Sequence, residues 1–262
     1  MNKSVVKISN ASVYLDGREI LHNLNLDIPE GRHTFILGPN GSGKTTFVKL
    51  LLGHLYPAYG GKIEILGKTF GNADIRQLRR SIAVASPMLA DFALKQYTGL
   101  EVVLSGIDSA FGIFREYTES EKKLATEQLA KFGCSNLADR KYESMSSGEQ
   151  IKILIARALI SSPSLLILDE PSVFLDPAGR EKLLQEIDVL PEKNPQITML
   201  FITQRIEDIL PIFTHGILLS DGKIADCGKA SQLLTEEKLS AIFKTGIKLI
   251  PGINGRLWSI CV

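Results

Sequence analysis

Gly38-Pro39-Asn40-Gly41-Ser42-Gly43-Lys44-Thr45-Thr46 is the segment of this chain best equipped for chemistry. It fits the pattern G-x-x-x-x-G-K-[ST]. The apolar run Phe35-Ile36-Leu37 precedes it, and a helix-compatible stretch, Thr46 to Leu52, follows. Strand, glycine-rich loop and helix in that order form the setting a phosphate-binding loop requires. Glycines let the backbone curl until several N–H groups face one anion. The helix N-terminus adds partial positive charge at the same place. Lys44 can reach the β- and γ-phosphates of ATP, and Thr45 can offer its hydroxyl to Mg²⁺. A chance turn before a helix is the plain alternative, and the full match in this setting argues against it.

A second group of residues suits the same reaction. In Leu165-Leu166-Ile167-Leu168-Asp169-Glu170, four apolar residues end in two carboxylates. Asp169 would hold Mg²⁺, through water. Glu170 would orient or deprotonate the attacking water. Strands often end at one acid, less often at two. Upstream, Met145-Ser146-Ser147-Gly148-Glu149-Gln150 opens the helical run Ile151 to Ile160. Alone, that sequence reads as a helix cap. Between a phosphate loop and an Asp-Glu strand it resembles the L-S-G-G-Q signature of the ATP-binding cassette (ABC) ATPases, in particular those of metal-chelate and vitamin importers. The resemblance covers essentially the whole chain.

That resemblance implies further roles. Ser146, Ser147 and Gly148 would clamp the ATP held by a second protomer, in a head-to-tail homodimer. Ser172-Val173-Phe174-Leu175-Asp176 is similar to the loop that crosses this dimer. Tyr14 matches the aromatic that stacks on adenine. Thr98 to Gly106 resembles the importer pattern, which implies membrane-spanning permease subunits as partners. Phe92, Tyr97, Phe111, Phe114 and Tyr117 lie around that stretch and suit either a docking groove or ordinary packing. The implied function is an ATP-binding, ATP-hydrolysing subunit that powers solute transport. The alternative is a soluble, stand-alone ATPase with a regulatory role and slow turnover.

Two departures favour that alternative. Pro87 stands where the family has a glutamine, and proline offers no side-chain donor or acceptor. Gln96 would replace it only through a shifted loop. Gln204 stands where the family has a histidine. As a catalytic residue it can still donate to a γ-phosphate, but it cannot become cationic. His215 comes too late to substitute. Glu149 in place of glutamine would bring negative charge near nucleotide unless it turns away.

The elements that must position these groups follow from periodicity and turn signals. Val5 to Leu15 and Ile20 to Ile28 read as strands joined at Asp16-Gly17. Lys62 to Leu66 and Ser81 to Ala85 are further strands. Glu119 to Phe132 reads as a helix from Thr118 to Gly133. Arg180 to Leu190 is helical and Met199 to Ile202 is a buried strand. Hairpins are expected at Asp221-Gly222 and Asn254-Gly255. The fold expected is α/β: a P-loop NTPase core with an antiparallel β layer and an inserted helical subdomain. A single domain would fill 1–262, with 1–87 and 161–262 as core and 88–160 as the helical part.

Composition agrees with this reading. The chain has 262 residues, 44% of them hydrophobic, and a net charge of +1. That charge gives no strong field for nucleic acid. Cys134, Cys227 and Cys261 are far apart and read as reduced, mostly buried thiols. The start, Met1-Asn2-Lys3-Ser4, has no apolar signal region, and no run is long enough to span a membrane. A cytoplasmic place is expected, and the resemblance, with its permease partner, implies one peripheral at the inner face of the plasma membrane.

Overall fold

The computed structural model describes residues 3–71, 78, 81–90 and 93–262. The chain divides into two units, Met1–Leu78 with Thr198–Val262, and Arg79–Ile197.

In the first unit, β1 (Ser4–Leu15) and β2 (Arg18–Pro29) pair antiparallel. Asp16 and Gly17 turn between them with φ of 49° and 74°. A two-residue turn with both φ positive matches the right-handed strand twist. β4 (Lys62–Ile65) and β5 (Lys68–Thr69) extend the sheet in the order β2-β1-β4-β5. The second sheet is centred on β3 (Thr34–Leu37), which runs parallel to both β8 (Thr198–Thr203) and β9 (His215–Ser220). Every residue of β3 and β8 is buried. Strands covered on both faces carry unbroken apolar runs, as these do. β10 (Lys223–Lys229) returns beside β9 through Asp221-Gly222. α1 (Lys44–Leu51) follows β3. After β10 come α8 (Ala230–Leu233), α9 (Glu236–Phe243) and the hairpin of β11 (Ile247–Pro251) and β12 (Leu257–Cys261). Asn254 and Gly255, at φ of 59° and 75°, lie in its connection.

In the second unit, β6 (Ile82–Ala85) and β7 (Leu165–Asp169) pair in parallel. Its helices are α2 (Pro87–Ala90), α3 (Gly99–Ser105), α4 (Glu119–Lys131), α5 (Ser147–Leu159), α6 (Pro177–Asp188) and α7 (Leu190–Lys193). Thr98, Thr118 and Ser146 each start a helix with a capping box: the hydroxyl accepts the third residue's N–H, and a glutamate there accepts the cap's own. Arg157 pins α5 to α3. Its Nε donates to Ser105 Oγ at 3.0 Å and its Nη2 to Ala110 O at 2.6 Å, with the guanidinium above the Phe111 ring. Burial lowers its pKa to about 10, so it stays cationic at neutral pH.

Some boundaries differ from the sequence expectation. α6 begins at Pro177, ahead of Arg180, because Asp176 accepts the Gly179 N–H at 2.6 Å and proline suits the first helical position. The helical span 88–160 lies inside the second unit, which also takes in β6, β7, α6 and α7. α8 and α9 had no expected counterpart. Cys134 is buried as expected, but Cys227 and Cys261 are exposed, because they lie on the outer strands β10 and β12. Of the aromatics named as groove candidates, Phe111 and Tyr117 pack under arginines, Phe114 is 79% exposed, and Phe92 lies outside the described residues. No helix among the described residues is long and apolar enough to cross a membrane.

Candidate nucleotide site

The loop is fixed at the end of β3 by its neighbours in the first unit. Leu37 pairs with Thr203 on one side and Leu218 on the other. The Gly38 N–H donates to Thr203 O at 3.4 Å, and the Gly222 N–H donates to Ser42 O at 3.0 Å. Within the loop, Ser42 N–H donates to Pro39 O, and Lys44 Nζ donates to Gly38 O at 2.8 Å and Pro39 O at 3.0 Å. The lysine stem therefore lies along the loop, with its ammonium group beside the enclosed space. Two glycines are required by space as well as conformation. A Cβ on Gly38 would collide with the Leu219 carbonyl oxygen. One on Gly43, whose φ is 101°, would stand 2.7 Å from Leu21 Cδ2.

α1 starts from Gly43 without a side-chain cap. Its first-turn amides and partial positive charge are therefore left for a ligand. Thr45 is exposed, so its hydroxyl is open to an approaching cation. Asn40 and Gly41 are also exposed, whereas Ser42 and Thr46 are buried and support the loop. These features fit a bound triphosphate with its metal. Tyr14 is 54% exposed on β1, on the same hairpin whose Leu21 abuts Gly43. Gln204 follows β8 directly, one residue past the carbonyl that anchors Gly38, and is partly exposed. The Arg205 N–H donates to Thr203 Oγ1 at 3.0 Å and holds that turn.

In the second unit, Asp169 ends β7 and is 3% exposed. Its Oδ2 accepts from Ser86 Oγ at 2.9 Å. Ser86 caps the end of β6, whose register sets Ala85 beside Leu168. Sequence reasoning fixed on Pro87 and missed this serine; pairing the two buried strands in register would have found it. Pro87 itself opens α2, where a missing N–H costs no helical bond. Gln96 is exposed, with its amide at 3.4 Å from both Glu143 and Lys141. Ser86, rather than Gln96, is the side chain that meets Asp169. Glu170 has a φ of 48°. A non-glycine residue held in this region is strained, and such strain gathers at functional sites.

Ser146 Oγ accepts the Glu149 N–H at 3.3 Å, and Glu149 Oε2 accepts the Ser146 N–H at 2.8 Å. Arg140 Nη1 binds the other carboxylate oxygen at 2.9 Å. The Ser146 N–H and then Arg140 hold the Glu149 carboxyl below its ordinary pKa. Its charge is thus turned back onto its own helix, which disposes of the conflict the sequence raised. Ser146 and Ser147 stay exposed, and no atom lies within 4 Å of where a Gly148 Cβ would be. Phe174 is 62% exposed just before Asp176 caps α6.

The family model described as ABC transporter matches residues 21–173. The uncharacterized ABC transporter ATP-binding protein YlmA of Bacillus subtilis (strain 168) is 34% identical over 247 residues, covering 94% of this chain and 93% of its own. Among solved structures, an inward-facing transporter assigned to the metal-chelate ABC type superposes with a TM-score of 0.78 at 26% identity, covering 99% of this chain and 98% of that one. The dimeric cassette MJ0796 in a post-hydrolysis state, bound to ADP and Pi, gives a TM-score of 0.72 at 29% identity, covering 86% and 98%. This chain belongs to the ABC transporter family, as one of its ATP-binding and ATP-hydrolysing subunits.

Proposed function

We propose that two copies of this chain close head to tail on ATP and drive a membrane-spanning permease at the inner face of the plasma membrane, moving a solute of the metal-chelate class. The observation that carries the reading is the loop itself: a lysine laid along Gly38–Gly43, followed by an uncapped helix and an open Thr45. In this reading Gly38 to Thr46 hold the phosphates, Tyr14 stacks on adenine, and Thr45 and Asp169 hold Mg²⁺. The metal, when bound, neutralises charge on the transferred phosphoryl group. Glu170 orients the attacking water, and Gln204 donates to the γ-phosphate. Ser146, Ser147 and Gly148 meet the ATP of the partner protomer. Ser86 is a positioning residue: its hydroxyl donates to one oxygen of Asp169 and helps fix the orientation of that carboxylate.

The test is the variant Glu170→Gln, which keeps the shape of the side chain and removes its basicity. It should bind Mg-ATP, fail to hydrolyse it, and elute from gel filtration as a dimer at high protein concentration. Elution as a monomer at every concentration, with ATP shown to be bound, would refute the head-to-tail dimer. The stand-alone alternative has no support among the relatives described above.

A further inference from the structure

β3 has two ends, and only one is spent on the phosphate loop. At the other, beside Thr34, lies a cavity of about 420 Å³ between the β1–β2 hairpin and the β9–β10 hairpin. Its walls are aliphatic, with Ile8, Leu26, Ile28 and Ile217. Its polar lining is mixed: Asn25, Asp27, Thr34 and Cys227 stand beside three groups that are cationic or able to become so. Lys7, Arg32 and His215 line it, and Lys229 stands directly across the β9–β10 ladder from His215. We propose that this cavity binds a small organic dianion with a compact apolar body.

The cationic groups here are only partly neutralised by the carboxylates nearby. Among the described residues, Arg32, Lys7 and Lys229 have no carboxylate within ion-pair distance. The one acid in the lining, Asp27, accepts from Ser4 Oγ at 2.6 Å. Lys7 lies directly across its ladders from Asp27 and Glu64, so the charge left over is that of Arg32 and Lys229, which repel one another beside His215. His215 registers this environment: burial first, then Arg32 and Lys229, push its pKa below the ordinary 6.5. An anion in the cavity would relieve the repulsion, with Arg32 supplying a planar fork suited to a carboxylate or phosphate. The aliphatic walls favour an organic ion over an inorganic one. The phosphate loop begins after Leu37, about 10 Å further along β3 at the usual strand rise, so the two anion sites are separate.

Phthalate is a suitable probe, being a dianion with a flat apolar body that is foreign to a triphosphate loop. Calorimetric titration should show one saturable site, with the same affinity in the presence and absence of saturating Mg-ADP. Arg32→Ala should weaken it at least about tenfold, the scale of a lost charge-assisted pair. Lys229→Ala alters an exposed residue, threatens the fold little, and should weaken it a few-fold. The His215 ring signals should report a pKa that rises on binding, since an anion favours the imidazolium, while those of His22 and His54 stay fixed. Absence of saturable binding at millimolar phthalate, loss of binding on adding Mg-ADP, or full affinity in both variants would each overturn the proposal.

Discussion

Ser86, bonded to Asp169, and Gln204, next to the anchor of Gly38, each give the proposed function a test at a single side chain. Ser86 is 1% exposed and has Asp169 as its partner. Ser86→Ala would remove that donor from a buried carboxylate oxygen and loosen the orientation of the acid. The expected result is an ATPase rate several-fold lower, with nucleotide affinity in the absence of Mg²⁺ unchanged; a weakened affinity without metal would mean the serine supports the fold instead. Gln204 follows Thr203, whose carbonyl anchors Gly38, and carries an amide where the family resemblance implies an imidazole. Loss of a transition-state donor costs roughly 10²–10³ in rate, and glutamine keeps part of that hydrogen bond. Gln204→His should therefore raise steady-state phosphate release on the order of tenfold with little change in ATP affinity, because the contact matters most in the transition state. A slower variant would show that the site is built around glutamine. The loop was legible as a motif because Gly38 and Gly43 meet demands of space and conformation that only glycine satisfies. Ser86 was not, because its role depends on which strand lies beside β7, and one sequence does not state register.

At the scale of elements, the entry to β3 holds a pH-sensitive joint. The Met199 N–H donates to His33 Nδ1 at 3.2 Å, which requires that nitrogen to be unprotonated. Burial holds the His33 pKa below its ordinary 6.5. In the unfolded chain His33 takes up its proton near 6.5, and in the folded chain only at lower pH. Its contribution is thus complete above 6.5 and is lost as pH falls through the folded value. His215 contributes in the same direction, so a variant must isolate the effect. The urea midpoint of the wild type should fall between about pH 7.5 and about pH 5.5, and more steeply than that of His33→Gln, which cannot titrate. Equal slopes would show that His33 is not the joint. Element types were legible where a turn or cap had its own chemistry, as at Asp16-Gly17, Thr118 and Asp221-Gly222. The start of α6 was not, because Asp176, its cap, was read as the end of a dimer loop. α9 starts at the cap Thr235 and is only eight residues long, too short to give a clear helical period.

For the whole molecule, the proposed function has Mg-ATP held on Gly38–Thr46 and hydrolysed with Glu170 as the group that readies water. The resemblance carried the order of motifs, and the comparisons agree on the family; what a single chain does not display is the partner protomer that Ser146 to Gly148 would serve. Steady-state phosphate release at saturating Mg-ATP and high protein concentration, wild type against Glu170→Gln, tests the central claim most directly. Measurable turnover in the wild type and a loss of at least about a hundredfold in the variant, the lower range for one catalytic group, is the predicted result. Equal rates in the two proteins, with ATP bound to both, would contradict it.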